Sequence, residues 1–281
     1  MISIIVVTYN RKDMLKTCLN SILSQDFGGE YEIIIIDSGS SDGTRESIER
    51  MPDRRIRLIG NKARLDLASC KSLGLEASTG DIIAFTDDDC CVAEGWLAGI
   101  EDSLVNYDFV GGPVSTMPGT KLPRWWLESF NWLIGVNLNP DRKSLPLGCN
   151  IAFRKYVLQK ITGEKPAIPF RKHLFLPYRE DNYRVIKALE AGFTMGVNPR
   201  MCVYHRIPRE RLSVAYLIKR SCQEGRAQAF YERRLKDIAL AIISLPINLV
   251  RLLIFLDLGR LFRMIANISY IMNRIGISGK C

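Results

Sequence analysis

The chain has 281 residues, enough for one substantial core, and 47% of them are hydrophobic, which excludes a disordered polymer. Its formal charge of +9 is unevenly placed: from Arg206 onward fourteen Lys and Arg face five Asp and Glu, an excess equal to the whole net charge, while residues 1–205 carry twenty-five of each sign. Eight cysteines show neither C-x-x-C pairing nor the density of a disulfide scaffold, so they are expected as reduced thiols of a cytosolic compartment.

The first half alternates short β-branched runs with amphipathic stretches, the pattern of a largely parallel sheet covered by helices on both faces. Strands are expected at 2–8, 32–37, 56–60 and 82–87, with helices at about 12–24, 43–50, 65–78 and 94–106 between and after them. The chain opens at once on the strand-like Ile2–Thr8, without the basic, apolar and cleavage regions of a signal peptide, so export is not expected. Thr8-Tyr9-Asn10-Arg11 ends the first strand, where backbone groups and a ring could frame a nucleotide and Arg11 could meet a phosphate. Alone, this is equally an ordinary strand-to-helix turn.

Asp37 ends the second strand and is followed by a turn rich in small residues up to Thr44, in which Asp42-Gly43-Thr44 starts a helix. A carboxylate there could accept from an imide N–H of a base, although such turns are common without ligands. Asp87, Asp88 and Asp89 follow the apolar run Ile82-Ile83-Ala84-Phe85. Three carboxylates at the carboxyl end of a buried strand are costly unless a cation answers them, and that end is where open α/β sheets bind ligands. A divalent metal carrying a phosphate ester fits; a solvated acidic loop is the plain alternative.

From Gly111 to Pro146, Gly, Pro, Asn and the tryptophans Trp125, Trp126 and Trp132 suggest loops and short helices of lid or acceptor character. Gly148–Phe153 reads as a further strand, and Glu180 to Ala191 as a helix ended by Gly192. Glu180-Asp181 is a second acidic pair, although acids also favour first helical turns. His205 follows the apolar Cys202-Val203-Tyr204, whereas His173 lies in an irregular basic segment and receives no role.

The order of these motifs closely resembles family 2 glycosyltransferases of the GT-A fold over roughly residues 1–210: Thr8-Tyr9-Asn10, Asp37-x-x-Ser-x-Asp-Gly-Thr, Asp87-Asp88-Asp89 before Trp96-Leu97, Gly148-x-Asn150-x-Ala-Phe-Arg, Glu180-Asp181 and Val-Tyr-His205. The resemblance implies a GT-A-type, mostly parallel sheet flanked by helices in a domain of residues 1–210, and a nucleoside diphosphate sugar as donor. Asp37 would bind the base, Asp87 or Asp88 the ribose or sugar, and Asp89 a Mn²⁺ or Mg²⁺ bridging the diphosphate, with His205 a ligand of metal or diphosphate. Asp181 would be the general base, Glu180 its neighbour or substitute, and Gly148 and Asn150 would shape the donor-sugar and acceptor pocket. The physical logic stands beside the name: inversion at an anomeric carbon needs a carboxylate to deprotonate the acceptor hydroxyl and a cation to stabilise the departing diphosphate. The chain departs from the family where Thr162-Gly163-Glu164-Lys165-Pro166 replaces a Gly-Gly-Phe-Asp-Glu stretch, which marks the acceptor side as unusual.

Residues 211–281 read as a basic and apolar helical appendage. Ile238–Leu256 is near the roughly 20 residues needed to span a bilayer, but Pro246 and Arg251 weaken a span; an in-plane or re-entrant helix pair at an anionic surface is expected, with a true span or a soluble packing or oligomer helix as the alternatives. Leu261–Ile277 carries Arg263 and Arg274, and Arg233, Arg234 and Lys236 flank the first stretch. No nucleic-acid motif accompanies the charge. The expected activity is therefore a metal-dependent inverting glycosyltransferase with a glycan or lipid-linked acceptor at the cytosolic membrane face. A nucleotidyltransferase would want a Gly-rich basic loop after the first strand, which Tyr9-Asn10-Arg11 lacks, and an inactive sugar-nucleotide-binding scaffold has no need of Glu180-Asp181.

Overall fold

The computed structural model describes residues 1–141, 145–162, 180–231 and 258–274. They form two compact units, Met1–Pro118 with Asn137–Arg206, and Gly119–Val136 with Ile207–Cys281.

The first unit is built on a seven-stranded sheet, β1 (Ile2–Thr8), β2 (Tyr31–Asp37), β3 (Ile56–Gly60), β4 (Ile82–Asp87), β6 (Phe109–Gly111), β8 (Ile151–Arg154) and β9 (Met195–Val197), ordered β3-β2-β1-β4-β8-β6-β9. The first four strands in that order are mutually parallel, and β8 runs antiparallel to both β4 and β6. A parallel strand covered on both faces has no polar side, and β2 accordingly carries four successive isoleucines, Ile33 to Ile36, all fully buried. Because side chains alternate across a strand, this run feeds two cores. Ile4, Val6, Ile33 and Ile35 meet Leu15, Cys18, Leu19 and Ile22 of α1 (Lys12–Leu23) and Trp96, Leu97, Ile100 and Leu104 of α4 (Trp96–Leu104). On the other face Ile5, Ile34, Ile36 and Phe85 meet α3 (Leu67–Ala77), α5 (Lys155–Thr162) and α6 (Glu180–Glu190). The register sets Thr8 beside Asp37 and Val7 beside Asp87, so the carboxyl ends of β1, β2 and β4 share one edge.

Local signals fix the helix ends. Asp66 caps α3 by accepting from the Ser69 N–H at 2.9 Å. Gly43, at φ +82°, opens α2 (Thr44–Glu49), and α6 stops before Gly192, at φ +86°. A second, three-stranded sheet, β5 (Cys90–Val92), β10 (Val203–His205) and β7 (Val114–Thr116), pairs His205 with Cys90. The strand expected at 148–153 begins only at Ile151: residues 148–150 form a turn closed by the Asn150 N–H on the Leu147 carbonyl at 2.8 Å.

The second unit packs Phe130, Leu133 and Ile134 of a 3₁₀ helix (Glu128–Ile134) with Leu217 of α7 (Val214–Tyr231) and Phe262 of α8 (Leu258–Arg274). The two long helices cross closely at Gly225, where a Cβ would lie 2.0 Å from the Ala266 carbonyl oxygen. α8 buries Phe262, Ala266, Ser269 and Tyr270 and leaves Leu261 and Ile268 exposed. No helix among the described residues is long and apolar enough to cross a membrane. Ile238–Leu256, Arg233, Arg234, Lys236, His173 and the segment 163–179 lie outside the described residues.

Candidate active site

At the shared edge the loops after β1, β2 and β4 interlock. Asn10 takes a left-handed conformation, φ +52°, that asparagine tolerates better than most residues, and from it ties two loops together. Its N–H donates to the Ser40 hydroxyl and its side-chain oxygen accepts from the Ser41 N–H, both at 2.8 Å. Asp37, 2% exposed, accepts from the Ser40 N–H at 3.2 Å and from the Ser40 hydroxyl. Tyr9 lies under the Arg64 guanidinium, 4.3 Å from ring centroid to carbon, a cation–π contact on a half-exposed ring.

The acidic triplet is answered from β1. Thr8 donates its hydroxyl to Asp88 at 2.9 Å, and one guanidinium nitrogen of Arg11 reaches Asp88 at 2.8 Å and Asp89 at 3.0 Å. Burial pushes the Asp88 carboxyl up to about 6 even though Arg11 opposes the rise. Asp87 is also raised by burial, and the Lys71 ammonium is the largest charge working against that rise. Such elevation means that the cluster holds its negative charge at a cost, which an added cation would relieve.

His205 arrives beside the triplet because β10 pairs with β5, and the Arg206 N–H donates to the Asp89 carbonyl at 2.8 Å. The imidazole Nε2 lies 3.5 Å from Asp89 Oδ1, and the Cys90 Sγ lies 3.8 Å from the same oxygen. One ligand atom each from Asp89, Cys90 and His205 fall within 4.8 Å of one another, all three residues buried. A carboxylate and an imidazole are donors that suit Mn²⁺, so the residues present fit a divalent ion. Burial pushes the Cys90 thiol well above its ordinary range, with a hydrogen bond to Cys149 adding to the rise.

A second cluster lies on the α3 and α6 face of the sheet. The Lys71 ammonium contacts both oxygens of Asp181, at 2.8 and 2.6 Å, and Arg184, one turn on, contacts Oδ1 at 3.0 Å. Both cations are sheathed, Lys71 2% and Arg184 5% exposed, and each lies 5.6 Å from the Phe85 ring centroid. Gly148 gives the carboxylate room: a Cβ there would fall 1.7 Å from Asp181 Oδ2 and 2.8 Å from its Cβ. Glu180 opens α6, and its side chain lies outside the described part. Asn150 stands apart from Gly148, fully buried, donating to the Pro113 and Met201 carbonyls and accepting from the Trp96 indole.

Sequence reasoning missed Lys71, Arg184, Arg64 and Cys90. Lys71 had a readable signal: with Leu67 and Gly74 it repeats at i, i+4 and i+7 on α3, and a lysine on an inward helix face requires an anion.

The sequence model of Glycosyl transferase family 2 matches residues 3–162, more than half of the protein. The chain belongs to this family. As a family 2 glycosyltransferase it is similar to glycosyltransferase AglE of Haloferax volcanii, at 29% identity over 203 residues that cover 69% of this chain and 63% of that protein. It is also similar to the Escherichia coli UDP-Glc:alpha-D-GlcNAc-diphosphoundecaprenol beta-1,3-glucosyltransferase WfgD, at 24% identity over 220 residues covering 76% and 79% of the two chains. The fold matches the mannosyltransferase PcManGT from Pyrobaculum calidifontis, solved with GDP-Man and Mn²⁺, at TM-score 0.64 and 20% identity over 98% of this chain and 87% of that one. S. aureus TarS 1-349, solved with UDP-GlcNAc, matches at TM-score 0.56 and 17% identity, covering 98% and 92%. The mixed, mostly parallel sheet of the first unit is thus the GT-A arrangement expected from the motifs.

Proposed function

We propose that this family 2 glycosyltransferase transfers a sugar with inversion from a nucleoside diphosphate sugar to a glycan or lipid-linked acceptor at the cytosolic membrane face, and that it requires a divalent metal. The observation that carries the reading is the meeting of Asp88, Asp89, Arg11 and His205 at the carboxyl end of β4. Asp89 and His205 would hold Mn²⁺ or Mg²⁺, which when bound would supply positive charge for the departing diphosphate. Asp37 and the Tyr9–Asn10 turn frame the base, and Asp87 or Asp88 takes hydroxyls of the ribose or sugar. Arg11, which contacts Asp88 and Asp89, would face phosphate. Asp181 removes the acceptor proton, with Glu180 its neighbour or substitute; Gly148, lacking a Cβ, lets the backbone pass close to that carboxylate, and Asn150 shapes the pocket from behind by bracing Trp96, Pro113 and Met201.

The GDP-Man and UDP-GlcNAc complexes of the structural neighbours support a nucleotide-sugar donor, and the diphosphoundecaprenol acceptor in the WfgD name supports a lipid-linked acceptor. We take residues 1–210 as the catalytic domain and 211–281 as a segment that holds the enzyme on anionic lipid. The confinement of all net charge to the chain after His205 supports that division.

The test is transfer from a panel of UDP and GDP sugars, with Mn²⁺, Mg²⁺ or chelator, to undecaprenyl-diphosphate-linked and free glycan acceptors, with the product anomer read by NMR. An inverted anomer made only with metal is expected; a retained anomer, or full activity in chelator, would sink the mechanism. Flotation with anionic vesicles, full chain against a chain ending near Tyr231, tests the membrane part. Equal flotation of the two would remove the role of the tail.

A further inference from the structure

From the geometry around Asp181 we infer that Lys71 is a positioning residue for the glycosyl transfer, fixing the Asp181 carboxylate as an ionised, correctly aimed base. The inference rests on Asp181 being that base. The two residues lie 110 positions apart and meet because α3 and α6 cover the same face of the sheet.

A carboxylate that must accept a proton from a bound hydroxyl needs to be charged and held still. The Lys71 ammonium supplies both: it brings an opposite charge to Asp181 and contacts both of its oxygens, at 2.8 and 2.6 Å. Among the described residues, Lys71 from α3 and Arg184 from its own helix form ion pairs with Asp181.

The three contacts are not equivalent. Arg184 lies one turn along the same helix and touches Oδ1 alone, so its contact with the carboxylate ties Asp181 to no other element. Lys71 comes from a different element, reaches both oxygens, and is 2% exposed. It therefore ties the carboxylate to α3, while the absence of a Cβ at Gly148 leaves room beside Oδ2. A bidentate grip by a buried ammonium also confines the torsion of the aspartate, which an exposed lysine could not do.

The test is a double-mutant cycle of Lys71→Met and Asp181→Asn, with Lys71→Arg as the conservative variant. Hydrolysis of UDP-glucose, UDP-GlcNAc or GDP-mannose in Mn²⁺, whichever is fastest, supplies turnover as nucleoside diphosphate released to water, without the native acceptor. Misplacing a reacting group by about 1 Å costs on the order of 100-fold. Lys71→Met is expected to lower kcat by about 10- to 100-fold with donor KM within about twofold, and to lower Tm, because removing one partner of a buried ion pair leaves the other charge poorly answered. Lys71→Arg should recover most of that loss. In the Asp181→Asn background the Lys71→Met change should lower kcat little further, because its effect on the proton-transfer step passes through the missing carboxylate. Wild-type kcat in Lys71→Met, or an equal loss in the Asp181→Asn background, would overturn the inference while leaving the base in place. Wild-type turnover in Asp181→Asn would overturn the base assignment, and the inference with it.

Discussion

The first unit gathers its carboxylates in two clusters that are built in opposite ways. Around Asp88 and Asp89 the partners are Thr8 at the end of β1, Arg11 in the loop after it and His205 of β10, and the charge is incompletely answered: burial leaves Asp88 at about 6 despite Arg11, whose side chain is 38% exposed. Around Asp181 the partners are Lys71 on α3 and Arg184 one turn on, with Gly148 before β8 beside them, and both cations are buried. The first cluster carries negative charge at a cost, whereas the second already contains its cations. Under the proposed function, binding and proton transfer would have different electrostatics within one sheet.

The largest break in that comparison is Asp181→Asn, expected to lower transfer by about 10²–10⁴-fold with donor affinity unchanged, because a base acts in the transition state. Single-turnover kinetics beside a donor titration checks it, and loss of activity in Glu180→Gln instead would move the base by one residue. Next is Gly148→Ala, which must displace a carboxylate gripped by Lys71 and should cost about 100-fold in kcat. Wild-type kcat there would mean that the close approach is incidental.

Glu32→Gln is the control far from both clusters. Burial alone would raise the Glu32 carboxyl, but hydrogen bonds from Thr79, Ser3 and Arg57 outweigh it and hold it at about 2 instead of 4.5. That stabilisation is fully present above about 4.5 and is lost as pH falls through about 2. The variant should lose on the order of 2–3 kcal/mol at neutral pH, show a flatter acid-unfolding curve, and keep its turnover. Urea melts from pH 2 to 7 decide this, and parallel curves for the two proteins would contradict it.

The smallest effect is expected at the first cluster. Arg11 competes with a metal for Asp88 and Asp89, so Arg11→Gln should tighten Mn²⁺ binding in the absence of nucleotide by roughly fivefold, the equivalent of about 1 kcal/mol at high effective dielectric. Electron paramagnetic resonance of free Mn²⁺ reads it directly; weaker binding would show that Arg11 does not oppose the ion.

The contrast also explains what was legible in the sequence. β1, β2, β3 and β4 were readable within a residue because each is an apolar run bounded by turn chemistry, and the triplet was readable because it directly follows one. β5, β6, β7 and β9 are three residues each, too short for a period to declare itself, and they hold together through pairing with distant chain. His205 was chosen by analogy of order, but the reason it reaches Asp89, the β5–β10 ladder, is a long-range pairing. Lys71 was invisible as a partner of Asp181 for the same reason, although its place on the inner face of α3 was a local anomaly. The Gly148 turn looked like strand because its apolar neighbours Ile151 to Phe153 are strand; only the Leu147–Asn150 hydrogen bond separates the two.

The account stands most directly on one titration: UDP-glucose, UDP-GlcNAc and GDP-mannose, each measured calorimetrically with Mn²⁺ and with chelator, against wild type and Asp89→Asn. At least one nucleotide sugar should bind wild type in Mn²⁺ and lose most of its affinity both in chelator and in the variant. Equal affinity in all four conditions would contradict the metal-held donor at the end of β4.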